Sequence, residues 1–438
     1  MEKVLLITYY WPPSGGAGVQ RALKFVKYFR TYGLEPLVLT VHPDKASYPV
    51  MDYTLLEDVP ADVKVYYASS FEPLNILSSL VGKKNVPYGG FANANKDSFT
   101  QKLLRWVRGN FFIPDARVGW VNAAVRAATE IIQKNGIRSV MISSPPHSSQ
   151  LIGLKLKRVF RDLKWVADMR DPWTDIYYYK DLLHTGIAAA KDARLEREVL
   201  SSADEVVVVS DAIRTSFLKK RADLPMQKFH VLPNGYDEDD FREAPLPVAG
   251  KFIITYVGTL ADSYRPEIFF NAFRELVAAE KNAKVLFRFV GNTPWTIRKS
   301  IEESGLSDYC EWIGHVSHKE AVHYMTSSHA LLLIIPDTVG AEGILTGKLF
   351  EYLGAHRNII GIGPPTGDAA AIIHRCAAGR MFGRTEGAEL LEWMSSLYAA
   401  HLNGKSYVAG NTKVDEYQRS NLTAVMASLL KSNYAKIV

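Results

Sequence analysis

Short apolar runs that stop at Gly, Pro, Ser or Asn, each followed by a stretch of helical period, recur along the chain, and this recurrence limits the fold more than any other feature. Residues 4–10, 36–40, 139–144, 165–169 and 206–209 form one series, and 252–257, 285–290, 310–313, 331–335 and 358–362 form a second. Runs that are apolar throughout, rather than at alternate positions, fit strands covered on both faces. Helical patterns lie between them at 19–32, closed by Gly33, and at 121–134, 212–221, 266–279 and 320–327. Such alternation gives an α/β fold built on parallel sheets. The Pro-rich stretch Ala244-Pro245-Leu246-Pro247 separates the two series, so the chain divides into domains 1–245 and 246–414, with a tail 415–438.

Composition bounds the function classes. With 438 residues, 47% hydrophobic and 22% charged, the chain has material for two full cores. Its two cysteines, Cys310 and Cys376, stand far apart with no CxxC, which excludes a disulfide framework and argues against structural zinc. A reducing cytoplasmic setting is expected. The opening VLLITYYW is cut short by Pro12-Pro13 and reads as a strand, not a signal peptide or a span. Of the net charge of +6, residues 96–161 carry more than all, with twelve Lys/Arg against three Asp/Glu. Within it, KLLRWVRGNFF places Leu103, Leu104, Trp106, Val107, Phe111 and Phe112 among Lys102, Arg105 and Arg108. That pattern suits a peripheral contact with an anionic membrane surface, or simple packing under the domain; no nucleic-acid signature accompanies it. Residues 41–95 read as an irregular, Pro-rich excursion with the tip VPYGGFANAN.

The densest chemistry lies at 336–354, PDTVGAEGILTGKLFEYLG, where a loop of small residues follows a buried strand and turns into a helix. Thr346 reads as the N-cap, which leaves the amides of Gly347, Lys348 and Leu349 as an anion seat that Gly343 and Gly347 let a ligand approach. Glu351 lies about 7 Å further along the axis, at 1.5 Å per residue, the distance from a terminal phosphate to a ribose. Near the start, 12–18 is a glycine loop between strand and helix, without the GxGxxG spacing or the acidic residue of a dinucleotide site. Two further strands deliver Pro145-Pro146-His147 and Arg170-Asp171-Pro172-Trp173 at their C-terminal ends, where ligands gather in open α/β sheets. Arg170, Asp171 and Trp173 make a carbohydrate or phosphate grip; alternatively Asp168 and Asp171 only cap turns or pair with Arg170. The acids 237–240 read as a solvated helix start rather than a metal-binding DxD.

GKLFEYLG, with Pro233-Asn234-Gly235 and with SSPPHSS followed by ADMRDPW, resembles the group 1, or family 4, glycosyltransferases of the GT-B fold, of bacterial polysaccharide type. The resemblance implies two Rossmann-like doubly wound domains facing across a cleft, with the amphipathic helix at 415–431 returning to the first. It implies transfer of a sugar from a nucleoside diphosphate sugar to a hydroxyl of a glycan or lipid-linked acceptor, with retention and with neither metal nor other cofactor, in cell-surface polysaccharide or glycolipid synthesis. Glu351 would hold the donor ribose, with Leu345, Thr346 and Gly347 in the donor loop. Gly15 and Gly16, and more weakly Arg21, would face the diphosphate, while His147 would approach the donor sugar. Val316 lies where the base is read.

Two positions depart from the family pattern. Gly343 stands where a first glutamate is usual, with Glu342 beside it, and Thr259 follows Gly258 where an arginine is usual. Arg265 or Lys348 is then left to neutralise the diphosphate. A non-catalytic partner subunit and a nucleotide-sugar epimerase on the same fold are the competing readings.

Overall fold

A computed structural model of the protein describes residues 1–48, 50–72, 99–242, 245, 247, 250–260, 264–279, 284–404 and 413–431. The VPYGGFANAN tip lies outside the described residues. Contacts divide the chain into two units, Met1–Pro233 with Leu422–Val438, and Asn234–Asn421.

Among the described residues the first unit holds seven parallel strands: β1 (Glu2–Thr8), β2 (Leu34–Val41), β3 (Lys64–Ala68), β4 (Ser139–Ser144), β5 (Lys164–Met169), β6 (Glu205–Val208) and β7 (Phe229–Val231). Their order is β3-β2-β1-β4-β5-β6-β7, so the sheet reverses direction between β1 and β4. Helices α1 (Ala17–Phe29), α2 (Phe99–Phe111), α3 (Val121–Asn135), α4 (Gln150–Val159), α5 (Gly186–Ser202) and α6 (Asp211–Lys220) connect them. Leu5, Ile7, Leu37 and Ile142 join the core on one face, and Val4, Leu6, Val38 and Met141 the core on the other. Period-two side chains that are apolar on both sides explain why these strands read as unbroken apolar runs.

β3 departs from the sequence expectation, since it lies in the stretch read as irregular. Its residues, KVYYA, are exposed at Lys64 and Tyr67 and buried only at Ala68, as suits a strand at the sheet edge.

The second unit repeats the scheme with β8 (Phe252–Val257), β9 (Val285–Val290), β10 (Cys310–Gly314), β11 (Ala330–Ile334), β12 (Asn358–Ile362) and β13 (Gly379–Phe382), ordered β10-β9-β8-β11-β12-β13. Its helices are α7 (Glu267–Ala279), α8 (Trp295–Glu303), α9 (His318–Thr326), α10 (Gly347–Gly354), α11 (Asp368–Arg375) and α12 (Gly387–Leu402). The reversal here falls between β8 and β11. Both units are therefore doubly wound and Rossmann-like.

Helix α13 (Arg419–Leu430) joins the first unit from Leu422 onward. Leu422, Met426, Ala427 and Leu430 bury against the Val4 and Leu6 face, while Val425 points outward, 45% exposed. Ser139 Oγ donates to the Leu430 carbonyl at 2.6 Å. The division between units comes before the Ala244–Pro247 stretch because the outgoing and returning segments pair. Tyr236 N–H donates to the Tyr417 carbonyl at 3.1 Å, and Arg419 N–H to the Tyr236 carbonyl at 2.8 Å. The Tyr236 ring covers Gly354, where a Cβ would stand only 2.6 Å from it.

Candidate functional site

At the reversal of the second sheet, β8 ends on Gly258, held at φ +113°, and β11 runs into the loop before α10. That backbone angle is what requires glycine, and the Lys348 side chain lies over it. A Cβ there would sit 2.5 Å from Lys348 Cε and 2.9 Å from Nζ. Lys348 Nζ donates to Tyr256 Oη at 2.7 Å and lies 4.4 Å from the Tyr256 ring centroid and 5.5 Å from that of Tyr264. Burial pulls its pKa down to about 8, against the opposing pull of Glu351. Lys348 is thus a desolvated cation on the first turn of α10. Tyr256 in turn donates to the Thr259 carbonyl at 3.0 Å, which fixes the turn after β8; the Thr259 side chain is exposed.

Thr346 occupies the N-cap position but does not cap. The Leu349 N–H takes the Thr346 backbone carbonyl at 3.2 Å, and Thr346 Oγ1 is buried with no hydrogen-bond partner among the described residues. Of the three amides expected to be available, that of Leu349 is therefore spent inside the first turn. Glu351 is a third exposed, with Oε1 3.9 Å from His318 Nδ1, and His318 Nε2 lies 3.1 Å from Asp240 Oδ2. Burial raises the Glu351 carboxyl and His318 opposes that rise. His318 begins α9 behind a Ser317/Glu320 capping box, a signal present in the sequence as SHKE.

The remaining predicted residues of this unit lie around this group. Gly340, at φ +80°, opens a short 3-10 turn over Ala341–Gly343, and the Gly343 N–H bonds to the Gly340 carbonyl at 3.1 Å. Glu342 is exposed, its backbone against Gly367, and Leu345 packs partly into the core. Arg265 is 65% exposed and pairs with Asp337 through Nη1 at 3.2 Å. Arg384, which the sequence reading missed, donates to the Ile335 carbonyl at 2.8 Å and so ties the end of β13 to the end of β11. Of the acids after Gly235, Asp237 accepts from the Asp239 amide at 3.3 Å, Asp239 pairs with Arg242 at 2.7 Å, and Asp240 faces His318. Among the described residues no three His, Cys, Asp or Glu side chains gather as a metal site.

In the first unit the expected roles shift. The Gly15 N–H donates to the Val50 carbonyl at 2.8 Å and the Asp52 N–H to the Pro13 carbonyl at 2.8 Å, so residues 50–52 lie across the glycine loop. The Gly15 amide is taken by protein, and the exposed residue is Gly16, at φ +97°. Arg21 turns inward: fully buried, it grips Asp168 with Nε at 3.1 Å and Nη2 at 2.8 Å, and donates to the carbonyls of Leu232 and Pro233. Asp168 therefore pairs with Arg21, not Arg170, and also accepts from Ser143 Oγ at 2.7 Å.

Arg170 closes the reversal between β1 and β4. Nε and Nη2 donate to the carbonyls of Ser144 and Pro145 at 3.1 and 3.0 Å, and a Cβ on Gly18 would stand 2.7 Å from Nη1. Gly18, rather than Gly15 or Gly16, is the glycine that guanidinium needs. Burial raises the Asp171 carboxyl while Arg170 opposes it. Trp173 does not offer its ring to solvent; it is 2% exposed and lies beneath His147. On α2, Arg105 is buried, whereas Leu103, Trp106 and Phe111 are 50%, 40% and 70% exposed, with the two aromatic rings 5.8 Å apart.

Comparison with known proteins places this geometry in a family context. The model described as Glycosyltransferase Family 4 matches residues 88–240, and the model described as Glycosyl transferases group 1 matches 237–344, so the two together span more than half of the chain. No curated protein matches. Among solved structures, Anabaena HepE in complex with UDP-glucose is 13% identical with a TM-score of 0.59, covering 98% of this chain and 99% of its own. A glycosyltransferase from Rickettsia africae is 14% identical with a TM-score of 0.61, covering 99% of both chains. The sucrose-phosphate synthase of Thermosynechococcus elongatus is 14% identical with a TM-score of 0.61, covering 98% of both. At these identities the likeness establishes the fold, which is GT-B.

Proposed function

The chain belongs to the group 1 glycosyltransferases, and from that premise we propose that it moves a hexose-type sugar from a nucleoside diphosphate sugar to a hydroxyl of a glycan or lipid-linked acceptor, with retention and without a metal ion. One observation carries the reading: Lys348, desolvated over Gly258, shares α10 with Glu351, so a cation for phosphate and a carboxylate for ribose stand on one short helix. In this reading Lys348 and the first amides of α10 stabilise the charge that develops on the departing diphosphate. Glu351 accepts from the ribose hydroxyls, and the departing phosphate takes the acceptor proton. The UDP-glucose bound by HepE supports a nucleotide-sugar donor. Lys348 takes the role left open by Thr259, while Arg265 is engaged with Asp337.

A panel of UDP-, GDP- and ADP-sugars tests this by thermal shift with chelator present. One nucleotide class is expected to stabilise the protein, and transfer is expected to persist in chelator. Strict dependence on added Mg²⁺ or Mn²⁺ would overturn the metal-free reading and return attention to Asp237, Asp239 and Asp240. Stabilisation by none of the three classes would instead favour a non-catalytic subunit, the reading to which Gly343 and the exposed Glu342 lend weight.

We also propose that the chain works at the surface of an anionic membrane, in the synthesis of a cell-surface polysaccharide or glycolipid. No helix among the described residues is long and apolar enough to cross a membrane. What supports the surface contact is α2, with exposed Leu103, Trp106 and Phe111 beside exposed Lys102. The protein is expected to sediment with phosphatidylglycerol vesicles, to be released by salt, and to lose most of that binding on changing Trp106 and Phe111 to Ala. Equal binding to neutral vesicles, or undiminished binding by the double variant, would contradict this.

A further inference from the structure

His147 is nine-tenths buried, and neither ring nitrogen has a hydrogen-bond partner among the described residues. A buried imidazole in that condition is costly unless a ligand supplies the partner, so the direction of its nitrogens matters. What fixes that direction lies on other elements. The ring is nearly parallel to the Trp173 indole, 4.9 Å between centroids and 10° between planes. Trp173 Nε1 donates to Asp192 Oδ1 at 2.8 Å, and Tyr179 Oη donates to Asp192 Oδ2 at 3.0 Å. Asp192 is 1% exposed.

One turn further along α5, Glu196 accepts from the Thr174 hydroxyl at 2.8 Å and from its N–H at 3.3 Å. Two buried acids at i and i+4 on one helix thus hold the indole and the residue after it. On the other side of His147, Asp115 accepts from the Ser148 N–H and hydroxyl, each at 2.7 Å.

We infer that Asp192 and Trp173 are positioning residues: Asp192 sets the indole plane, and the indole sets the plane of the imidazole whose free nitrogens meet a substrate hydroxyl. That a sugar substrate supplies the hydroxyl rests on the glycosyltransferase reading; the stack itself does not. Burial holds His147 down at about 4, with Asp115 opposing and Arg170 and Lys220 reinforcing, so near neutrality the ring offers one donor and one acceptor.

The test uses the full chain with Trp173→Leu, Asp192→Ala and Asp192→Asn. Histidine-selective NMR should show the His147 midpoint rising from about 4 toward 6.5 in Trp173→Leu and, less, in Asp192→Ala, while Asp192→Asn, which still accepts the indole N–H, stays near wild type. In the same variants kcat/KM for transfer should fall about 10- to 100-fold with Asp192→Asn rescued, as expected for a misplaced group, and the Kd for nucleoside diphosphate should hold. A purely packing role would lower stability without moving the His147 midpoint.

An unmoved midpoint in both Trp173→Leu and Asp192→Ala, or Asp192→Asn as damaging as Asp192→Ala, would overturn the inference. If Trp173→Leu does not fold, Trp173→Phe, which keeps a ring and loses the N–H, should match Asp192→Ala. A chain that transfers no sugar from any donor would refute the glycosyltransferase reading, and the NMR midpoints would then decide the stack alone.

Discussion

Arg21→Met is expected to cost the first unit about 3–5 kcal/mol, because it leaves a carboxylate buried without its cation. Both side chains of the pair are fully buried, and besides Arg21 the Ser143 hydroxyl donates to the Asp168 carboxylate. The same guanidinium also donates to the carbonyls of Leu232 and Pro233, where the chain leaves the first unit, so the substitution loosens α1, β5 and that exit together. Urea denaturation of Arg21→Met should show the loss, and Arg21→Met with Asp168→Leu should recover much of it, since removing both charges also removes the desolvation cost. A loss below about 1 kcal/mol would mean that the pair does not hold the unit.

The pair also shows where sequence reading ends. Arg21 and Asp168 stand 147 positions apart, and nothing local in either segment announces the other. Read locally, an arginine one turn into the helix after a glycine loop looked like a phosphate ligand, and Asp168 looked like a cap or a partner for Arg170. Features set by local periodicity were legible. The buried strands at β1, β4, β5, β8 and β11 appear as apolar runs because both faces are covered, and the inward face of α13 appears in Leu422, Met426 and Leu430. β3 was not legible, because an edge strand buried at a single residue gives no such run.

In the candidate site the same division holds. The Gly258 turn could be read from sequence; the Lys348 side chain lying over it could not. Thr346 has the residue type of an N-cap, yet the first turn tightens so that its backbone carbonyl serves Leu349 instead. Trp173 looked like a carbohydrate platform because aromatic residues at strand ends often are. Only the fold shows it stacked beneath His147.

Glu351→Gln is expected to weaken binding of the preferred nucleoside diphosphate by about one to two decades while the fold survives. Each charge-assisted hydrogen bond from a ribose hydroxyl to the carboxylate is worth roughly 1.5–3 kcal/mol. The carboxylate is partly desolvated, which strengthens such bonds, and His318 at 3.9 Å opposes the rise in its pKa. A helix residue without such a role would change binding by less than about 0.5 kcal/mol.

The most direct test of the account is calorimetric titration of wild type and Glu351→Gln with the nucleoside diphosphate and with its 2′-deoxy analogue. If Glu351 holds the ribose, loss of the 2′-hydroxyl weakens wild type by about tenfold or more and scarcely affects the variant, since the interaction is already gone. Equal, additive losses in the two proteins would show that Glu351 and the ribose do not meet, and would contradict the assignment of α10 as the donor helix.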